Sequence, residues 1–172
     1  MIQSRLVIVY HRMGSFALDY RAPRSILTLV LFIAVVVAVG AFVGISSAPD
    51  AWYAALNKAP WNPPNWIFAP VWFTLYVMIG IAGARTFLRD PSSGPMFLWL
   101  LQMVLNWAWS PTWFTLHQVW LALIIIWAIL LLILAFIWTS WKVDRLSAWL
   151  FVPYAAWVAF ASTLNLSIAL LN

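Results

Sequence analysis

Cysteine and glutamate are both absent from the 172 residues of this chain, which leaves four aspartates and two histidines as potential metal ligands. The lack of cysteine excludes disulfide bonds, thiol catalysis and metal sites built on thiolates. No aspartate falls inside a long apolar run, so the intramembrane carboxylates typical of ion-coupled transport are missing. No Ser/His/Asp arrangement or phosphate-binding loop supports hydrolysis or phosphoryl transfer. The sequence therefore predicts no metal site, no required cofactor and no enzyme of these classes.

Charged residues are scarce as well, at 8% of the chain, whereas hydrophobic residues make up 66% and the mean hydropathy is +0.95. A typical soluble domain has about 25% charged residues. The pattern predicts an all-α integral membrane protein, a bundle of five transmembrane helices in a lipid bilayer. Residues 1–24 form a polar basic extension, and the apolar run after it is long enough to span instead of being a cleavable signal. The transmembrane domain, residues 25–172, has expected spans at 26–45, 65–88, 95–116, 119–141 and 146–171.

Basic residues lie in the connectors between these runs, which predicts the orientation of the chain. With the N-terminus inside, the outer side carries only Lys58, and the inner side carries eight basic residues: Arg5, Arg12, Arg21, Arg24, Arg85, Arg89, Lys142 and Arg145. This asymmetry predicts an inner N-terminus and an outer C-terminus. It favours a bacterial cytoplasmic membrane, with an outer membrane as the alternative. Scattered charges of this kind form no face for nucleic acid.

Three of the five spans carry polar and aromatic side chains at helical spacing, and each also contains a proline (Pro70, Pro111 or Pro153). The stripes consist of Asn65, Ala69, Trp72 and Tyr76; of Gln102, Asn106, Trp109 and Trp113; and of Tyr154, Trp157, Ala161 and Asn165. A proline frees a backbone carbonyl, which a protein-lined cavity accepts better than lipid does. At 1.5 Å per residue the stripes reach similar depths. They predict a tryptophan-rich cavity in the outer half, covered by the loop 46–64.

The remaining features leave alternatives open. Asn106 and Asn165 are suited equally to hydrogen bonds between helices and to contact with a ligand. Gly40 and Gly44 form a pair of small residues four apart, which predicts a dimer interface. His117 is interpreted as a solvated turn residue rather than a haem ligand. The first and fourth spans have almost no polar side chains, which suits helices that face lipid or another subunit.

Residues 61–66 (WNPPNW) and 69–76 (APVWFTLY) resemble the TspO/MBR family, the tryptophan-rich sensory proteins related to the mitochondrial translocator protein. Residues 105–111 and 153–165 agree, and the resemblance covers about residues 26–172. It implies a five-helix homodimer that binds porphyrins, sterols or benzodiazepine-type drugs beneath the first loop, between the second, third and fifth helices. By matching positions, the resemblance implies eight ligand-binding residues: Tyr53, Trp72, Tyr76, Gln102, Asn106, Trp109, Trp157 and Ala161. The stripe on the fifth span adds Asn165 to this predicted site.

Two departures from the family pattern bear on the ligand. Asn65 stands where relatives often have a basic residue, which leaves Lys58 as the one outer base for the propionates of a porphyrin. After Asn165 the chain has neither the tyrosine nor the basic residue of the sterol motif, so sterol binding by that route is not expected.

The function expected from the residues and the resemblance is a receptor or sensor for a flat apolar ligand, first of all a porphyrin. Indole faces stack on such a macrocycle, and carboxamides satisfy its few polar groups. Two alternatives remain: a passive tetrapyrrole carrier, and an enzyme of light-dependent porphyrin degradation in which Trp72, Trp109 or Trp157 passes electrons.

Overall fold

The computed structural model describes residues 20–172, so of the predicted basic extension only residues 20–24 fall within it. All regular secondary structure in the described part is helical, and no strand occurs in it. A 3-10 turn, Asn65–Ile67, comes before the third helix, and a π-helical turn, Pro111–Thr115, continues the fourth. The six α-helices are α1 (Pro23–Ser46), α2 (Ala51–Ala55), α3 (Phe68–Arg89), α4 (Gly94–Ser110), α5 (Val119–Ser140) and α6 (Arg145–Leu171).

Four segments have the length and hydropathy needed to cross a bilayer: α1, α5, α6 and the segment Asn65–Arg89 that contains α3. The helix α4 has only 17 residues, but the chain continues from it directly into the π-helical turn. Pro111 lacks a backbone N–H, so it interrupts the α-helical hydrogen bonds at this point, as the sequence predicted for a bent helix. The structure thus confirms the all-helical fold and identifies four of the five expected spans.

The helices form a bundle in which α1 packs on α3, α3 on α6, α6 on α5 and α5 on α4. We refer to the end of the bundle that carries α2 as the α2 end. The fully buried core includes Ile79, Ile133, Phe136 and Phe151. Its members come from α3, α4, α5 and α6, and α1 contributes Val36.

The fourth span, α5, was expected to suit a helix that faces lipid or another subunit, but one side of it packs inside the bundle. Seven of its residues are buried at intervals of one to four, from Ala122 to Ser140. The buried face cannot be recognised from the sequence, because the exposed face of a membrane helix is equally apolar. The first span, α1, does match the expectation, since only Ser25, Val36 and Gly40 are buried along it.

Glycines determine how closely α1 and α3 approach each other. A Cβ atom on Gly80 would lie 2.8 Å from the Cα of Ile33, so the two backbones touch there. A Cβ on Gly40 would overlap the ring of Tyr76, whereas one on Gly44 would have no atom within 4 Å. The two helices therefore pack tightly near Gly80 and separate toward the α2 end. Gly40 makes its close contact inside the chain, and the dimer interface through Gly40 and Gly44 stays a prediction.

A cluster of charged side chains joins α3 to the start of α6 at the end opposite α2. Arg85 donates two hydrogen bonds to the carboxylate of Asp144, at 3.0 and 2.9 Å, and Arg89 lies 3.4 Å from it. The hydroxyl of Ser147 donates to the same carboxylate at 2.8 Å. Burial alone raises the pKa of Asp144, but the hydrogen bonds and the arginine charges outweigh burial and hold this pKa below its ordinary value.

Replacing Asp144 with asparagine is expected to destabilise the protein by about 2 kcal/mol, because Arg85 loses its counterion in a largely buried site. A carboxyl whose pKa is lowered by folding stabilises the fold above its unfolded value of about 4, and this contribution is lost as the pH falls through the folded pKa. Thermal unfolding of both forms between pH 8 and pH 3 checks this. The difference in Tm should be constant above pH 5 and should shrink below pH 4.

Candidate functional site

A cavity of about 740 Å³ lies at the α2 end of the bundle, beneath α2 and between the long helices. We call it the main cavity. Tyr53 projects to it from α2, and Trp72, Trp109 and Trp157 line it from α3, α4 and α6. The three tryptophan stripes of the sequence therefore converge on one space.

Eight of the nine sequence-predicted site residues line the main cavity: Tyr53, Trp72, Tyr76, Asn106, Trp109, Trp157, Ala161 and Asn165. The exception is Gln102, which is fully buried and lies one helical turn from Asn106, away from the α2 end. Its amide donates to the carbonyl of Trp99 at 3.0 Å. Gln102 is therefore a residue of the bundle interior in this structure, and the cavity wall stops above it.

The sequence does not predict the other lining residues, and it assigns Gly40 and Gly44 to a dimer interface instead. The helix α1 contributes Val37, Gly40, Ala41 and Gly44 to the wall, and α5 contributes Ile126 and Ile129. These positions are small or aliphatic, so nothing distinguishes them from residues that face lipid. The cavity expected between three helices is in fact enclosed by five long helices and α2.

Aromatic rings supply most of the flat surface in the wall. Trp109 and Trp113 are stacked, with ring centroids 5.8 Å apart and planes inclined by 11°. The ring centroids of Trp72 and Tyr76 are 5.3 Å apart, and the rings of Trp157 and Phe68 pack edge to face with centroids 5.7 Å apart. Indoles fixed by such pairs offer rigid faces to a planar apolar molecule.

A chain of hydrogen bonds begins at the cavity wall and continues into the bundle. The hydroxyl of Tyr76 donates to Oδ1 of Asn106 at 3.1 Å, and Nδ2 of Asn106 donates to the hydroxyl of Tyr154 at 2.8 Å. Tyr154 in turn donates to Oε1 of Gln102 at 3.0 Å. The chain joins α3, α4 and α6, and every polar atom named in it has a partner. We call it the polar network.

Asn165 has a similar structural role closer to the α2 end. Its Oδ1 accepts a hydrogen bond from Nε1 of Trp109 at 3.3 Å, and its Nδ2 donates to the carbonyl of Val119 at 3.2 Å. Asn106 and Asn165 thus both hold helices together, and both also line the cavity. The structural role of both residues is therefore visible, and their contact with a ligand stays a prediction.

The loop over the cavity is fixed at two places. Near α2, the ring of Trp52 stacks on His117 at 4.0 Å, and Nε2 of His117 lies 3.4 Å from Oδ2 of Asp50. At the other place, the backbone N–H of Asn57 donates to the side chain of Asn172 at 2.9 Å. His117 has a left-handed backbone (φ 54°), which turns the chain sharply before α5. His117 is a turn residue as predicted, but it also anchors the loop through its contacts with Trp52 and Asp50.

Asp50 is the N-cap of α2, and this role affects the pKa of its side chain. Its Oδ1 accepts from the backbone N–H of Tyr53 at 3.1 Å. That hydrogen bond, followed by the effect of His117, outweighs desolvation and lowers the pKa of Asp50. Asp50 is therefore ionised at neutral pH, which matters for any charged ligand near the loop.

A model of the TspO/MBR family matches residues 32–171. The chain belongs to the TspO/MBR family. Three relatives show how far the similarity extends. The tryptophan-rich protein TspO of Chlorobaculum tepidum is 37% identical over 160 residues, which cover 87% of this chain and 98% of the relative. The tryptophan-rich sensory protein of Cereibacter sphaeroides is 33% identical, covering 83% and 91%. The human translocator protein is 34% identical, covering 73% and 79%.

Membership in the TspO/MBR family confirms the resemblance seen in the proline- and tryptophan-rich segments of the sequence. Together with the four long apolar helices, it makes this TspO/MBR chain an integral membrane protein. Among the described residues, no group of three or more histidine, aspartate, glutamate or cysteine side chains could hold a metal ion.

Proposed function

We propose that this TspO/MBR protein is a membrane receptor or sensor that binds a flat apolar molecule, first of all a porphyrin, in the main cavity. The observation that carries the proposal is the convergence of Trp72, Trp109 and Trp157 on one cavity of about 740 Å³. Pockets for small molecules are typically about 300–1,000 Å³, largely apolar, with a few polar groups that orient the ligand. Relatives named sensory protein and translocator protein support a role in binding over one in catalysis.

The shape of the wall supports a planar ligand in particular. Trp109 offers an indole on one side, supported from behind by the buried ring of Trp113, and Trp72 and Trp157 offer indoles from two other helices. The carboxamides of Asn106 and Asn165 add polar contacts at the same wall. A macrocycle with few polar groups matches this combination of rings and amides.

The proposal also includes the arrangement in the membrane. We place the fifth span at α4 together with its π-helical turn, residues 94–115, because the chain is helical throughout this stretch. The distribution of basic residues supports an inner N-terminus and an outer C-terminus in a bacterial cytoplasmic membrane. The main cavity then lies in the outer half of the membrane, and a homodimer in the bilayer remains part of the proposal.

Porphyrin binding to the purified protein tests the function. We expect Trp72→Ala and Trp157→Ala each to weaken protoporphyrin binding about five- to tenfold, because each removes an indole worth about 1–1.5 kcal/mol of stacking. Binding is followed by the shift of the porphyrin absorption band, since the substitutions themselves remove fluorophores. Trp138→Ala is the matched control, because Trp138 is 82% exposed at the far end of α5. Equal affinities for all four proteins would place the ligand elsewhere.

Two further measurements separate the receptor from its alternatives, which use the same cavity. Porphyrin flux across proteoliposomes, compared between the wild type and Trp157→Ala, identifies a carrier. Loss of porphyrin during illumination of the purified protein identifies an enzyme of light-dependent degradation. A receptor binds the porphyrin and produces neither result.

A further inference from the structure

A second cavity of about 530 Å³ adjoins the main cavity within the loop. We call it the loop cavity. Pro49, Tyr53 and Asn65 line both cavities, so the two spaces share a boundary at these residues. The main cavity is walled mainly by rings and aliphatic side chains, whereas the loop cavity contains the charged side chains of Asp50 and Lys58. A molecule that extends across the boundary meets apolar surface at one end and charge at the other.

Lys58 lines the loop cavity and is held next to the boundary residue Tyr53. Its Nζ donates to the carbonyls of Leu56 at 3.0 Å and Ala54 at 3.3 Å, and it lies 4.6 Å from the ring centroid of Tyr53. An ammonium group has three donors, so one remains for a ligand. Within residues 20–172, no carboxylate forms an ion pair with Lys58. The positive charge is thus positioned by the loop and is not neutralised by a neighbouring acid.

Asp50 is the one opposing charge in the loop cavity. Its carboxylate accepts from the backbone N–H of Tyr53 and lies 3.4 Å from His117, so its hydrogen-bonding capacity is partly used. Its negative charge nevertheless acts against an anion in the same space. Lys58 should therefore strengthen the binding of an anionic ligand and Asp50 should weaken it, and the two effects can be tested separately.

We propose that the loop cavity is a subsite for a carboxylate of the ligand, which Lys58 binds while the apolar body of the ligand occupies the main cavity. The ligand class that fits is an anionic amphiphile, a flat apolar ring system with at least one acid side chain. The carboxamide of Asn65, on the wall of both cavities, is positioned to add a hydrogen bond at the boundary. This inference rests on the proposed function and narrows its ligand class.

The test compares protoporphyrin with its dimethyl ester, which has the same ring and no charge. Against the wild type, Lys58→Gln should weaken binding of the free acid about three- to tenfold, the effect of one partly exposed charge-assisted contact. The same substitution should leave binding of the ester within about twofold. Asp50→Asn should strengthen binding of the acid and leave the ester unchanged, since asparagine keeps the N-cap acceptor. Lys142→Gln, on the connector between α5 and α6, is the charge-matched control.

The outcomes distinguish this inference from the function on which it rests. If Lys58→Gln weakens acid and ester equally, Lys58 only maintains the loop, and the carboxylate subsite is wrong while the receptor stands. If both substitutions leave the acid unaffected, the subsite is also wrong. If the wild type binds neither compound, the proposed function fails and the subsite fails with it. Added salt should weaken only the free acid in the wild type.

Discussion

Leucine in place of Gly80 is expected to force α1 away from α3 and to lower the Tm of the protein strongly. A Cβ at this position would lie 2.8 Å from the Cα and 3.1 Å from the backbone nitrogen of Ile33. Backbone atoms in a helix cannot rotate aside as a side chain does, so the whole helix must shift. In a bilayer, close packing through small residues is a main source of attraction between helices. We expect a loss of about 3 kcal/mol, the upper end for overpacking.

Gly44→Leu is the matched control for this prediction, because Gly44 belongs to the same pair of helices. No atom lies within 4 Å of a Cβ at Gly44, so the leucine enters open space at the wall of the main cavity. Thermal unfolding in mild detergent should show a Tm close to that of the wild type, whereas binding of protoporphyrin should weaken. Equal Tm values for the Gly80 and Gly44 variants would contradict the close contact at Gly80.

Phenylalanine in place of Tyr154 is expected to have the second large effect, because one hydroxyl serves both neighbours in the polar network. Its removal leaves Nδ2 of Asn106 without an acceptor and Oε1 of Gln102 without a donor. Single hydrogen bonds inside membrane proteins average about 0.6 kcal/mol, but a buried group left unpaired costs about 1–3 kcal/mol. We expect a loss of about 2 kcal/mol, measured as the fall in Tm.

Tyr76→Phe is the comparison for the Tyr154 variant, because it removes a hydroxyl that makes only one hydrogen bond in the network. Its destabilisation should be about half as large. Adding Gln102→Leu to Tyr154→Phe should cost less than the sum of the two single changes, since the partners are lost together. A Tyr154 variant as stable as the wild type would show that the network does not hold the helices.

The sequence was sufficient for the polar and aromatic half of the site. Side chains that recur every three or four residues lie on one side of a helix. Each of Trp72, Trp109 and Trp157 therefore had to lie on the same side as the polar residues of its own helix. Their distances from the helix ends set a common depth. In the predicted topology, the loop 46–64 was the only connector on that side long enough to cover the cavity, and the structure places α2 there.

The other half of the site depends on contacts that spacing does not encode. Ile126 on α5 and Val37 on α1 line the cavity, yet an aliphatic residue gives the same pattern toward lipid as toward a cavity. Gln102 shares a stripe with Asn106, but its position below the cavity depends on where Tyr154 meets α4. The contact of Trp52 with His117 joins segments far apart in the chain, so only the folded structure reveals it.

The polar network has a consequence for the evolution of this protein. Its hydrogen bonds, together with the close backbone contact at Gly80, join the helices below the main cavity. Exposed small residues of the wall near the α2 end, such as Gly44 and Ala69, are therefore not needed to hold the bundle together. New side chains at these positions can reshape the space without unfolding the chain, so selectivity for small molecules is free to diverge while the architecture persists.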